Sequence, residues 1–205
     1  MSTRGGEAAG TPAPAAPRGF AAFGPRGIRR LLNVWPPFLF AGIRVTAIGA
    51  DWRSARVELR MRPWNRNYVG THFGGSLFAM TDPFWMLLVM RSLGRDYIVW
   101  DRAGEIAFLK PGRGVVHAEF ALGEDVLGTL RTAASGQPVR DDPALSITAS
   151  GAVLRWFDTD VLDAQGEVVA RVRKQLYVRR KRADQRAGVG SAADATREPG
   201  AGTVQ

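Results

Sequence analysis

A lone carboxylate, Asp82, stands in the apolar run between Leu77 and Val89, with Pro83 directly behind it and the pair Gly74–Gly75 upstream. A carboxylate in such a place can serve as a general base or as a nucleophile toward an electrophile bound in apolar surroundings. The glycines supply the other half of such a reaction. Backbone N–H groups at a helix start have no intrahelical partner and can hold an oxyanion, and glycine lets a bound carbonyl approach the backbone closely. On a helix beginning near Gly75, Asp82 lies about two turns along, roughly 10 Å from the start.

Two other readings of Asp82 compete with that one. Thr81-Asp82-Pro83-Phe84 also fits a helix start, with Asp as N-cap and Pro in the first turn. If the helix begins near Gly75 instead, Pro83 removes a backbone donor and should kink it. In the third reading, Asp82 is one half of a structural ion pair. Lys174 interrupts the apolar face of the last strand, and either Asp82 or Glu105 could neutralise it. Asn67 fits a turn. His72 and His117 are the two histidines, so a dehydratase that sets a histidine against an acid has only these to draw on. No cysteine is present, which excludes disulfides and thiolate metal sites.

The elements that must position these groups follow from pattern. Residues 1–25 and 183–205 are rich in small and polar residues and read as disordered tails around a domain spanning 26–182. Arg26–Phe40 reads as a short helix with an apolar stripe of Ile28, Leu31, Leu32 and Trp35, ended by Pro36-Pro37. Strands are expected at Ile43–Ala47 and Ala55–Met61, from period-two alternation, with a hairpin connection at Asp51–Ser54. The apolar helix follows, about 18 residues long, and Gly94–Asp101 turns the chain. Strands are then expected around Glu105–Leu109 and Val115–Leu122, separated by the turn Lys110–Gly114. Val126–Arg131 suggests a helical turn. Ser146–Leu162 reads as one long strand bulged near Gly151. The turn Asp163–Gly166 leads to the last strand, Glu167–Arg180. A helix apolar nearly all round must be wrapped on several sides. The expected fold is therefore α+β, a central helix wrapped by a curved antiparallel sheet of about five or six strands, with an extra N-terminal helix.

Charge adds a local feature. The net charge of +9 is concentrated in Arg171, Arg173, Lys174, Arg179, Arg180, Lys181, Arg182 and Arg186, opposed within that stretch by Asp184 alone. This favours a solvated strand end over nucleic-acid binding, for which no motif is present. Contact with a membrane surface has only weak support. No secretory signal and no run of about 18 apolar residues is visible, so a cytoplasmic protein is expected.

These residues carry a resemblance. Asn67, Gly70, Gly74, Gly75 and, after six intervening residues, Asp82 fall on the pattern N-x-x-G-x-x-H-G-G followed by an acid. That pattern is similar to the one in phenylacetate-type acyl-CoA thioesterases of the hotdog fold. Val69-Gly70-Thr71, Phe73–Phe78, Tyr97–Asp101 and Lys110–Gly114 most resemble a hotdog branch described only as a domain of unknown function. The resemblance covers Ile43–Arg180. It implies hydrolysis of an acyl-CoA or acyl-carrier thioester, with Asp82 as base or nucleophile and Gly74/Gly75 as the oxyanion site. Asn67 joins that catalytic set. Phe73, His72, Lys110 and Arg113 are the candidate substrate contacts, the two cations toward phosphates. It also implies a homodimer or dimer of dimers, and no cofactor beyond the coenzyme A of the substrate. One position departs: Phe73 stands where the family has a histidine that supports the thioester carbonyl, and His72 comes one place too early to inherit that role. The alternative on the same fold is a non-catalytic acyl-CoA or lipid binder.

Overall fold

The computed structural model describes residues 22–182. The two tails expected to be disordered lie outside the described residues, apart from 22–25, where the first helix already starts at Pro25. The helices α1 (Pro25–Val34) and α2 (Pro36–Ala41) precede the hairpin β1 (Ile43–Ile48) and β2 (Ser54–Arg60). Then come α3 (Gly74–Ala79), α4 (Phe84–Leu93), β3 (Tyr97–Phe108), β4 (Val115–Ala121) and α5 (Glu124–Ala134). The chain closes with β5 (Leu145–Ile147), β6 (Val153–Leu162) and β7 (Val168–Arg180). The seven strands form one antiparallel sheet in the order β1-β2-β4-β6-β7-β3, with β5 hairpinned onto β6.

The central helix is broken where Pro83 requires it. Proline has no N–H to give the Ala79 carbonyl, so Asp82 N–H takes that acceptor at 3.2 Å. Thr81 closes the turn twice, donating both its N–H and its hydroxyl to the Phe78 carbonyl. Pro83 is the residue preceding α4, and no side chain caps that helix. The capping reading of Asp82 is therefore overturned: the carboxylate is turned to another partner. From Phe84 on, α4 is buried on several sides, with Phe84, Leu88 and Val89 fully enclosed. Its Trp85 stacks on Phe157 of β6 at 4.8 Å and donates its ring N–H to Thr159 at 2.7 Å. The sheet's apolar face thus supplies what an all-round apolar helix needs.

Four elements differ from the expectation. Arg26–Phe40 is two helices, because Pro36 and Pro37 occupy the first turn of α2 and start a helix where they were expected to end one. Tyr97–Asp101 is the first part of β3, a twelve-residue strand, and not a turn. Ser146–Leu162 is two strands, because Gly151, at φ +77°, closes a tight turn that folds β5 back on β6. The helical turn near Val126 extends into the three-turn α5, which buries Leu127, Leu130 and Ala133 at helical spacing.

The two sheet edges are treated differently. At β1, Asn33 of α1 both donates to and accepts from the Val45 backbone, at 3.0 and 2.7 Å, standing in for a missing strand. Asn33→Ala should expose this edge and cost about 1–2 kcal/mol, read as a lower urea midpoint. At the other edge, no strand among the described residues pairs with the far side of β3.

Candidate active site

The loop before α3 is organised by Asn67. Its side-chain oxygen accepts from Val69 and Thr71 N–H, and its amide donates to the Thr71 hydroxyl and the His72 carbonyl. Gly70, at φ +75°, turns the loop, and Arg113 donates to the Gly70 carbonyl at 3.0 Å. His72 points into the protein. Its N–H donates to the Gly112 carbonyl, and Nε2 lies 3.1 Å from the Gly114 carbonyl, so Nε2 carries the proton. Burial lowers its pKa, outweighing the contact with Gly114, and the ring is neutral near pH 7. The neighbouring Phe73 is more than half exposed.

Gly74 and Gly75 open α3 with no side-chain cap. Neither needs an unusual φ. They are small because rings crowd them: a Cβ on Gly74 would come within 2.8 Å of Phe108, and one on Gly75 within 2.4 Å of Phe73. A cleft of about 270 Å³ opens beside this helix start, between Phe40, Trp64, Phe73 and Ser76.

Asp82 lies in the break between α3 and α4. Its side chain is 52% exposed, so the burial suggested by its apolar neighbours does not occur. One of its oxygens accepts from the Lys174 ammonium at 2.6 Å. Lys174 is the buried member, only 5% exposed, on the inner face of β7 among Val172, Leu176 and Val178. It reaches a second carboxylate, Asp101 of β3, at 3.4 Å, and its ammonium lies 5.3 Å from the centre of the Phe78 ring. Gly104 makes room for this arrangement. It pairs with Lys174 across the sheet, and a Cβ there would sit 2.6 Å from Phe78 and 3.2 Å from the lysine stem.

Asp101 escaped sequence reasoning because a bulge decides its direction. The register of β3 on β7 slips between Asp101 and Ala103. Asp101 and Gly104 both face inward as a result, while Glu105 turns to the outer face near Arg173. Glu105 is therefore not the partner of Lys174. The signal in the sequence was an acid alternating with Val99, hidden by reading that stretch as a turn. Burial pushes the Asp101 carboxyl up to about 6, against the pull of Lys174 and with a further push from Asp82. Its Oδ1 is buried and without a hydrogen-bond partner among the described residues.

A pKa raised on folding has a definite consequence for stability. The folded state holds the Asp101 proton more tightly than the unfolded chain, whose Asp titrates near 3.8. Its contribution is full below that value and is lost as pH rises to about 6. Wild type should lose on the order of 2 kcal/mol relative to Asp101→Asn between about pH 4 and about pH 7. Paired denaturation curves read this directly, and the comparison cancels the titration of His72.

The remaining candidates lie elsewhere. The Lys110 ammonium bonds Asp163 at 2.6 Å and also Glu167, across the β6–β7 turn. Arg171 and Arg173 pair with Asp160 and Asp158 of β6, so part of the basic run is balanced by the neighbouring strand. Among the described residues, no helix is long and apolar enough to cross a membrane, and no group of three acidic or histidine side chains is placed to hold a metal.

Comparison with known proteins fits this architecture. Among solved structures, the chain is similar to a probable thioesterase of unknown function from Pseudomonas aeruginosa, PA5026. The TM-score is 0.61 at 20% identity, over 75% of this chain and 93% of that one. It is similar to the thioesterase HI1161 from Haemophilus influenzae, with TM-score 0.53 at 14% identity over 78% and 92%. It is also similar to a protein of unknown function from Chlorobaculum tepidum, with TM-score 0.56 at 14% identity over 78% and 99%. At these identities the likeness establishes the fold, which is the hotdog fold. No curated protein matches the chain. A family model described as a domain of unknown function, DUF4442, matches residues 26–178. That match spans nearly every element around the Asp82–Lys174–Asp101 cluster, and the chain belongs to the DUF4442 family.

Proposed function

We propose that the protein is a thioesterase that hydrolyses an acyl-CoA or acyl-carrier thioester with an apolar acyl chain. The observation that carries this reading is the half-open Asp82 carboxylate, held at 2.6 Å by a lysine that is otherwise enclosed. An ammonium in the inner face of a sheet is costly to desolvate, and packing alone would be served better by an apolar side chain. Its presence there is accounted for if it holds a reactive carboxylate at the break of the helix.

In this reading Asp82 takes a proton from water, and the hydroxide adds to the thioester carbonyl. Alternatively, Asp82 attacks the carbonyl itself to give an anhydride that water then opens. Either way the C–S bond breaks, and the thiolate leaves and takes up a proton. The Gly74 and Gly75 N–H groups would receive the developing oxyanion. The cleft at Phe40, Trp64 and Phe73 offers rings to an apolar acyl chain, with Asn65, Arg66 and Ser76 as polar neighbours in its lining. Of the two cations considered for phosphate, Arg113 is the better placed, since two acids already hold Lys110. His72 and Asn67 would serve by shaping the loop. The names of the similar proteins from Pseudomonas and Haemophilus support the reaction class.

We place the site beside a homodimer contact. Among the described residues no strand pairs with the far side of β3, and Ala103, Gly104 and Ala107 on that strand are small and exposed. A second copy pairing along β3 would lie next to Asp101 and Asp82, and a dimer of dimers is compatible with this. The intended location is the cytoplasm.

The second reading, an acyl-CoA binder without turnover, is favoured by Phe73 at the family histidine's place. Thiol release from a panel of short, long and aryl acyl-CoA thioesters separates the two. Release from at least one class supports the enzyme, and a silent panel with saturable binding supports the binder.

A further inference from the structure

Lys174 has one positive charge and two carboxylates to serve. Its ammonium is 2.6 Å from Asp82 and 3.4 Å from Asp101, from opposite sides of the break in the helix and the bulge in β3. We propose that Asp101 is a positioning residue of the proposed site: it shares the Lys174 ammonium with Asp82 and thereby sets how much of the Asp82 charge is free to act on a substrate. This deepens the thioesterase reading and rests on it.

The geometry supports the sharing. The lysine stem packs against Gly104 and Phe78 in the core, and the ammonium at its end lies within reach of both acids. Asp101 is fixed by the bulge that turns it inward, and one of its oxygens has no other partner among the described residues. The charged groups facing Asp101 are Lys174 from β7 and Asp82 from the α3–α4 turn. Of the other charges on β3, Arg102 is exposed and Glu105 faces Arg173 on the outer side.

With Asp101 neutral, the ammonium neutralises Asp82 alone, and a neutralised carboxylate is a poor base and a poor nucleophile. With Asp101 ionised, the two acids compete for it and Asp82 is partly released. The exchange falls near pH 6, where the Asp101 carboxyl titrates. Hydrolysis should therefore rise with pH through that point.

The chain has three lysines, Lys110, Lys174 and Lys181, which makes the test direct. The full chain, 13C-labelled at lysine Cε, is titrated by NMR, with the Lys174 signal identified by its loss in Lys174→Arg. In wild type the signal should shift with a midpoint near 6, and in Asp101→Asn it should stay flat. The pH profile of thiol release should bend at the same point in wild type. It should lack the bend in Asp101→Asn, which should run about tenfold slower than wild type near pH 7.5. Asp101→Glu should restore the bend. A Lys174 signal that stays flat in wild type overturns the sharing whatever the activity. A titrating signal with identical rate profiles in wild type and Asp101→Asn overturns the positioning role. An inert wild type whose Lys174 signal still titrates overturns the hydrolase reading and leaves the sharing standing.

Discussion

Asp82→Asn should lower the rate of thioester hydrolysis by about 10²- to 10⁴-fold, the range typical for loss of a positioned base. The amide keeps the shape of the carboxylate and an acceptor for Lys174, but it cannot take a proton from water or form an acyl anhydride. The loss should fall on kcat, because the proposed contacts to the acyl chain and the coenzyme are made by other residues. Stability should fall by about 1–3 kcal/mol, because the substitution removes the nearer counter-charge of the enclosed Lys174 and leaves it Asp101 at 3.4 Å. A loss of turnover far larger than this destabilisation can explain separates the catalytic account from a purely structural ion pair. Were Asp82 there only to neutralise Lys174, the substitution would weaken the fold and leave any turnover largely intact.

Phe84→Ala should remove about 3–5 kcal/mol of stability, enough to bring many domains close to unfolding. Phe84 is fully buried two residues after Asp82. Its ring packs on Phe120 at 4.8 Å between centres and on Phe38 at 6.5 Å. It pins the first turn of α4 to β4 and α2, and so fixes the break that presents Asp82. Truncation leaves a cavity in the middle of the core. A fall of roughly 10 °C in melting temperature is expected for a domain of this size. Below that temperature, activity should also decline, because the α3–α4 turn loses its anchor. Phe84→Leu, which fills most of the space, should do much less on both counts.

What was legible in the sequence was whatever rests on local pattern. Alternation in Ala55–Met61 and Glu167–Arg180 marked β2 and β7, and the turn at Asp163–Gly166 marked the hairpin between β6 and β7. Pro83 signalled a break in the central helix, and the break is there. Lys174 stood out because a cation interrupted an apolar face, and Asp82 was one of two acids named for it.

What was not legible depends on contacts distant in sequence. The side of β3 that faces inward is set by a bulge, which alternation cannot reveal, so Asp101 was missed and Glu105 was weighed in its place. Apolar neighbours along the chain suggested that Asp82 is buried, yet the turn forced by Pro83 carries it half out to solvent. Gly74 and Gly104 are crowded by rings distant in sequence, Phe108 and Phe78, and only the assembled fold shows those rings. His72 is one place from the histidine of the phenylacetate-type pattern, but its side chain is bound to the 112–114 loop.

If Asp82 performs chemistry on a bound thioester, its loss must slow the chemical step itself. The most direct measurement is single-turnover thiol release, with enzyme in excess over an acyl-CoA that wild type binds, for wild type and Asp82→Asn at matched saturation. Wild type should release the thiol fully and, at equal affinity, the variant at least about 100-fold more slowly. Equal release by both proteins, or none by either despite saturable binding, would contradict a chemical role for Asp82.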